Sequence, residues 1–258
     1  MPLTTSEIRR ARFFENNIKP QIFEGLEEVA LQALLEKSVL HDYKSGQLLV
    51  QQGDTPDYLY VVISGSVKTL RTDNDGNEAV IRMLKSGDTC MEAVIFMGGP
   101  SPIAVQVMDS AQLLLIPETV VKSLVLKDTR FAYNLLRIIT KHYKNAMHQI
   151  DAMSTKTTLQ RVGYYLLLKH LENGHDNMEF ELPFKKATIA SYLGMTPETF
   201  SRTLKQIREL GIDISGEKVR LHDSFALCHF CDSDTAALCG HQDKKECPQC
   251  PVFIKGSA

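Results

Sequence analysis

The chain has 258 residues, 43% of them hydrophobic and 23% charged, with a formal net charge of -2. That length suits two modest domains better than one continuous core, and the composition is that of an ordinary globular protein rather than a disordered or fibrous one. There is no run of about 18 apolar residues, and the first 20 residues lack the apolar stretch of a secretory signal, which predicts a cytoplasmic protein without membrane attachment. A nearly neutral chain exerts no global pull on nucleic acid, so any such binding must come from a local patch.

Residues 40–116 alternate short β-rich runs (QLLVQQGD, YLYVVISGSVKTLR, AVIRMLKSGD, AQLLLIP) with turns. Strands punctuated every 8 to 12 residues predict an all-β roll, barrel or sandwich, and Gly46, Gly53 and Gly65 punctuate them as positive-φ positions would. The period then changes. From Arg130 to Ser154, Ala132, Leu136, Ile139, Tyr143, Ala146, Ile150 and Met153 recur at alternating spacings of four and three, the seam of a long helix that needs a partner. A second copy of the chain is the economical partner; packing of the stripe on the chain's own β domain is the alternative.

A further helix (LQRVGYYLLLKHL), a short strand (MEFEL), helices over about 185–193 and 197–210, and the hairpin IDISGEKVRL follow. Three helices with a small hairpin outline a winged helix-turn-helix. Leu193 and Gly194 close one helix, Thr196 is a good N-cap and Pro197 sits at N1 of the next. Along that second helix Glu198, Thr199, Ser201, Arg202 and Lys205 fall toward one side, while Phe200, Leu204 and Ile207 can hold the other on a core. Arg can pair bidentately with guanine O6 and N7, and Glu can accept from cytosine N4, so Glu198 and Arg202 can read a G·C step in a major groove. Between positions 183 and 208 the residues Lys185, Lys186, Arg202, Lys205 and Arg208 face the single acid Glu198, a local net charge of +4 suited to phosphate contacts.

Five of the six cysteines, Cys228, Cys231, Cys239, Cys247 and Cys250, crowd into the C-terminal tail. Two C-x-x-C knuckles can place four thiolates on one metal, either a structural zinc or an iron–sulfur cluster, and in a reducing compartment that outranks a disulfide scaffold. No nucleophile paired with a base and no phosphate-cradling glycine loop occurs, so the chain reads as a non-enzyme. The rival readings are a cysteine-based redox protein acting through the tail, and a regulator stapled by zinc with a non-haem apolar ligand in its β-roll.

Over residues 20–223 the chain resembles the CRP/FNR superfamily of transcription regulators. The resemblance rests on Gly46, Gly53, Gly65, Gly87-Asp88, the long helix and Glu198-Thr199-Phe200-Ser201-Arg202. It implies an α+β fold: an N-terminal cyclic-nucleotide-binding-like β-roll, a long dimerisation helix and a C-terminal winged helix-turn-helix. The domains would be an N-terminal arm (1–22), the sensor roll (23–129), the dimerisation helix (130–155), the DNA-binding domain (156–225) and the metal-binding tail (226–258). Its implied partners are double-stranded DNA with TTGAT-like palindromic half-sites, RNA polymerase and a second copy of the chain, with no membrane. Met91 to Met97 and Pro197 to Arg202 are most similar to the denitrification-regulator branch, whose members sense nitric oxide through haem.

Family members that bind cyclic nucleotides use Gly-Glu-Leu followed by Arg-Ser-Ala, with Glu on the ribose and Arg and Ser on the phosphate. Here Glu92 matches the Glu, but Met91 replaces the Gly, and Pro102 and Ile103 replace Arg and Ser. A buried phosphate would lose its Arg, which argues against cyclic AMP. The expected sensor pocket is then apolar and sulfur-rich, lined by Cys90, Met91, Val94, Ile95, Met97 and Ile103 beside Glu92, and suited to haem or another apolar ligand. His142, His148, Cys90, Met91 and Met97 are the possible axial donors. Some superfamily members hold a cluster through C-terminal cysteines, which tips the tail toward iron–sulfur over zinc.

Overall fold

A computed structural model describes residues 20–174, 177–223 and 225–236. The chain divides into two compact units, 1–146 and 147–258. The division falls inside the longest helix, Thr129–Thr155. Among the described residues no helix is long and apolar enough to cross a membrane.

The first unit opens with a 3-10 turn at Gln21–Phe23 and helix α1 (Glu28–Lys37). Strands β1 (Val39–Tyr43), β2 (Leu48–Val50), β3 (Tyr58–Thr72), β4 (Glu78–Lys85) and β5 (Thr89–Cys90) follow. Then come the short helix α2 (Glu92–Met97), strand β6 (Ala104–Pro117), helix α3 (Glu118–Lys127) and the long helix α4 (Thr129–Thr155). The sheet order is β1-β6-β3-β4, with β2 also on β6 and β5 also on β3. Every pairing is antiparallel, as expected of a roll whose strands are joined by tight turns.

Strands β3 and β6 are buried on both faces at their centre, because the sheet lies between two cores. Leu59, Val61 and Ile63 face one core with Leu114, Ile116, Phe131 and Leu135. The intervening Tyr60 and Val62 face the other with Leu113, Leu115, Cys90 and Met91. The period-2 alternation of side chains across a strand assigns each residue its core. The run YLYVVISGSVKTLR is one strand, β3, whereas AQLLLIP is only the second half of β6; both strands bend. Gly65 makes the bend possible, since its φ is +77° and a Cβ there would lie 2.2 Å from the Ser110 carbonyl oxygen. Helices α1 and α3 and the first half of β6 carry no periodicity strong enough to have been anticipated.

In the second unit helix α5 (Thr158–Glu172) starts on a capping box: the Gln160 amide donates to Thr157 Oγ1 at 3.3 Å and the Thr157 amide donates to Gln160 Oε1 at 2.9 Å. Strand β7 (Glu179–Glu181), helix α6 (Lys186–Tyr192), helix α7 (Pro197–Glu209) and strands β8 (Ile212–Ser215) and β9 (Lys218–Leu221) complete the domain. The three strands pair in the order β7-β9-β8. A 3-10 turn at Cys228–Phe230 and a last short helix, α8 (Ser233–Ala236), close the described part.

Candidate nucleic-acid interface and sensor site

Between α6 and α7 the chain turns at Gly194, φ +65°, where the Met195 amide donates back to the Ala190 carbonyl at 3.0 Å. A positive φ after a helix end is what glycine supplies without strain. Thr196 then caps α7, its Oγ1 accepting from the Thr199 amide at 3.2 Å, with Pro197 at the first helical position. On the inner face Phe200, Thr203 and Ile207 are buried. Leu204, expected there from spacing, is only partly covered. Thr203 can be buried because its hydroxyl donates to the Thr199 carbonyl at 2.9 Å.

The outer face carries Glu198, Ser201, Arg202 and Lys205, all exposed, with Thr199 partly covered. Hydrogen bonds from its own backbone amide and from Thr196 hold the Glu198 carboxyl below its usual range, and Arg202 one turn on adds to this. The carboxylate is thus kept charged at the helix N-terminus, where the macrodipole favours it. The hairpin turn at Gly216 brings Ser215 opposite Lys218 and leaves Lys218 and Arg220 exposed. Lys218 extends the positive surface, whereas Arg220 Nε is engaged by Glu179 Oε1 at 2.8 Å across the β7-β9 ladder. Sequence reading recognised the wing but did not single out these two cations, although basic residues at the outward positions of β9 were the available signal. Asp213 joins β8 to helix α7 through Arg208 Nε at 3.3 Å, and meets His222 Nε2, just past β9, at 2.7 Å.

The expected sensor residues separate. Cys90, Met91 and Val94 are buried in one core. Ile103 is partly buried against it, whereas Ile95 belongs to the opposite core. Met97 is 67% exposed and lines neither, because α2 ends there and turns out at Gly98, φ +70°. Met91 itself adopts φ 74°, the sole non-glycine positive φ among the described residues, at the position where relatives that bind cyclic nucleotides carry glycine. Burial pushes the Cys90 thiol well above its ordinary range, with the nearby Glu92 charge adding to it, so it is an inert core group.

Glu92 is 1% exposed and is not waiting for a sugar. Its Oε1 lies 3.1 Å from Arg82 NH1 and 2.5 Å from His142 Nδ1. Burial alone raises a carboxyl pKa, but the His142 hydrogen bond and the Arg82 charge outweigh it, and Glu92 is held below its usual range. Where a phosphate would need cations, Pro102 offers no N–H, and Ser101 Oγ is engaged with the Ile103 carbonyl at 2.6 Å. Positions 102 and 103 thus supply neither the Arg nor the Ser of the cyclic-nucleotide cassette. Arg82 and His142 were missed as partners of Glu92, because their separations of 10 and 50 residues carry no local pattern.

Of the tail cysteines, Cys228 and Cys231 are partly buried. Cys239, Cys247 and Cys250 lie outside the described residues. Among the described residues no group of three or more His, Cys, Asp or Glu side chains is placed to hold a metal. The first knuckle is nevertheless built into the folded unit. Leu227 is 1% exposed, and Lys156 Nζ lies 3.2 Å from Asp232 and 4.9 Å from the Tyr164 ring centroid.

A β-roll followed by a long helix and a capped helix-turn-helix with a basic outer face defines a two-unit DNA-binding regulator. Comparison with known proteins agrees. Residues 40–128 match the cyclic nucleotide-binding domain family and residues 160–230 the Crp-like helix-turn-helix domain family. The anaerobic regulatory protein of Pasteurella multocida is 27% identical over 189 residues, covering 71% of this chain and 68% of that protein. The fumarate and nitrate reduction regulatory protein of Salmonella typhi is 27% identical over 202 residues, covering 77% of each. FixK2 from Bradyrhizobium japonicum shares the fold, with a TM-score of 0.67 at 21% identity over 76% of this chain and 98% of its own. The chain belongs to the CRP/FNR family of transcription regulators. It is a DNA-binding protein and not an enzyme.

Proposed function

We propose that the chain acts as a homodimer that reads TTGAT-like half-sites of a palindrome, contacts RNA polymerase from that position, and responds to a redox, gas or metal signal received at its cysteine tail. The observation that carries the reading is the recognition helix: a capped N-terminus presenting exposed Glu198, Ser201 and Arg202, held from behind by buried Phe200, Thr203 and Ile207. The Glu-x-x-Ser-Arg pattern, like the Met91–Met97 segment, is of the fumarate-nitrate and denitrification type. Pairing is supported by α4, where Leu136, Tyr143 and Ile150 recur every seven residues and are 61%, 67% and 57% exposed. A helical stripe of that size needs a covering partner. Ile139, also in the expected seam, packs on the chain's own core instead, so the interface narrows to those three and their neighbours.

The names of the relatives in Pasteurella and Salmonella support a signal connected with anaerobic metabolism. For the tail, two cysteine knuckles supply the thiolates that an iron–sulfur group or zinc requires, and an iron–sulfur group would provide a redox- or gas-labile tie there. Haem has weaker support. Both ring nitrogens of His142 are within hydrogen-bond reach of Glu92 and Arg82, so ligating iron would break that pair of contacts. The mechanism is a population shift: the state of the tail biases how two long helices pair and hence whether two recognition helices stand one DNA turn apart.

The test is a gel shift with a TTGAT palindrome on anaerobically purified protein, together with its ultraviolet-visible spectrum. Salt-sensitive binding that is lost when the half-sites are scrambled supports the reading, and failure to bind in every metal state overturns it. A broad brown absorbance supports iron–sulfur, a Soret band moves the signal to haem in the roll, and a colourless protein containing zinc makes the tail a staple. Cys247→Ser is expected to lose the metal.

A further inference from the structure

Arg82 of β4, Glu92 at the start of α2 and His142 of α4 come from three separate elements of the first unit and meet around one ring. A guanidinium can only donate. Its NH2 lies 2.8 Å from His142 Nε2, so Nε2 accepts. The proton then sits on Nδ1, which donates to Glu92 Oε1 at 2.5 Å. The ring is therefore bonded on both edges, between a carboxylate and a cation.

The surroundings are already arranged. Arg82 NH2 is also fixed by the Thr89 carbonyl at 2.9 Å, so the guanidinium is held in place without His142. Among the described residues Glu92 Oε2, Thr69 Oγ1 and Thr89 Oγ1 are buried without a hydrogen-bond partner, and Thr69 lies directly across the β3-β4 ladder from Arg82. A buried carboxylate with unused hydrogen-bonding capacity, beside a guanidinium that is only partly covered, is costly when left short of partners. This half of the cluster thus behaves as a receptor, and the ring from α4 behaves as what it receives.

We propose that the inside of the roll at Glu92 and Arg82 is a binding site for a planar heteroaromatic with one N–H donor and one ring-nitrogen acceptor, filled in cis by His142. The roll then needs no diffusible effector to hold α4. This extends the reading above, resting on it for the DNA-binding readout, and it leaves signal entry to the tail.

The experiment uses the full-length chain carrying His142→Ala. Calorimetry without DNA measures binding of imidazole, and fluorescence anisotropy measures affinity for the palindrome, both at about pH 8, where free imidazole is neutral. The wild type should ignore added imidazole. The variant should bind imidazole and bind DNA more weakly by about tenfold or more, with imidazole restoring the affinity. The probe 1-methylimidazole, which lacks the N–H donor, should not restore it. DNA binding unchanged in His142→Ala, no uptake of imidazole by the folded variant, or equal rescue by both probes would overturn the proposal. Should His142→Ala fail to fold, His142→Gln, which keeps a donor and an acceptor, must bind DNA like the wild type while His142→Leu does not; equal losses overturn it as well. A wild type that never binds the palindrome instead defeats the functional reading, and the calorimetric arm still decides the site.

Discussion

The ring of Phe230 fills the space beside Gly163 so closely that a Cβ on residue 163 would lie 2.3 Å from the ring's Cγ and Cδ1. The glycine, in the middle of α5, is thus explained by the start of the cysteine tail. In an exposed helix Gly→Ala gains about 1 kcal/mol, but here the new methyl must expel a ring. Gly163→Ala should cost the second unit about 1 to 3 kcal/mol net, read by urea denaturation. In a Phe230→Ala background the same change should become stabilising, and this reversal of sign distinguishes tail docking from a general intolerance of the helix.

Glu92 gives the first unit a defined acid sensitivity. Its folded pKa is below the ordinary 4.5, so its contribution to stability is fully present above that ordinary value and is lost as pH falls through the folded value. Melting temperature measured from pH 7 downward should fall below about pH 4.5. Glu92→Gln should flatten that part of the curve while lowering stability at pH 7, since Arg82 and His142 lose their carboxylate.

At Met91 two effects oppose each other. Replacing it with glycine relieves a left-handed conformation, φ 74°, worth about 1 kcal/mol. The same change empties a side chain that is 2% exposed in the core, and large-to-small core changes cost about 2 to 5 kcal/mol. Burial wins: Met91→Gly should destabilise the roll by about 1 to 3 kcal/mol, measured by chemical denaturation. A stabilised variant would mean that the side chain packs poorly.

Periodicity and turn chemistry made most of this legible. The cap at Thr196, the proline after it and the glycine before it identified the reader, because all three act within a few residues of one another. The roll was readable as β, and β3 nearly to its ends, but the first half of β6 was not read as strand. The sensor list failed at Met97 and Ile95. A six-residue helix sends its neighbours to different cores, and spacing along the chain does not report that. The Glu92 cluster was out of reach for a related reason, as Arg82 and His142 arrive from β4 and α4 through tertiary folding alone.

Leu136, Tyr143 and Ile150 provide a test of pairing. Tyr143→Glu combined with Ile150→Glu places charge in the exposed seam without touching the buried face of α4. The double variant should sediment as a monomer, keep its melting temperature at low concentration and lose cooperative binding to a palindrome. A dimer that persists would move the interface elsewhere.

The central claim is sequence-specific reading by α7, and Arg202→Ala tests it most directly. Fluorescence anisotropy should compare the wild type and the variant on the TTGAT palindrome and on a duplex with scrambled half-sites, across a salt series. The account predicts that the variant loses about 1 to 3 kcal/mol on the palindrome and much less on the scrambled duplex, so that discrimination collapses. Lys205→Ala should weaken both duplexes alike and lower the salt slope by about one. Equal losses on the two duplexes for Arg202→Ala, or none, would contradict the assignment of α7 as the reader.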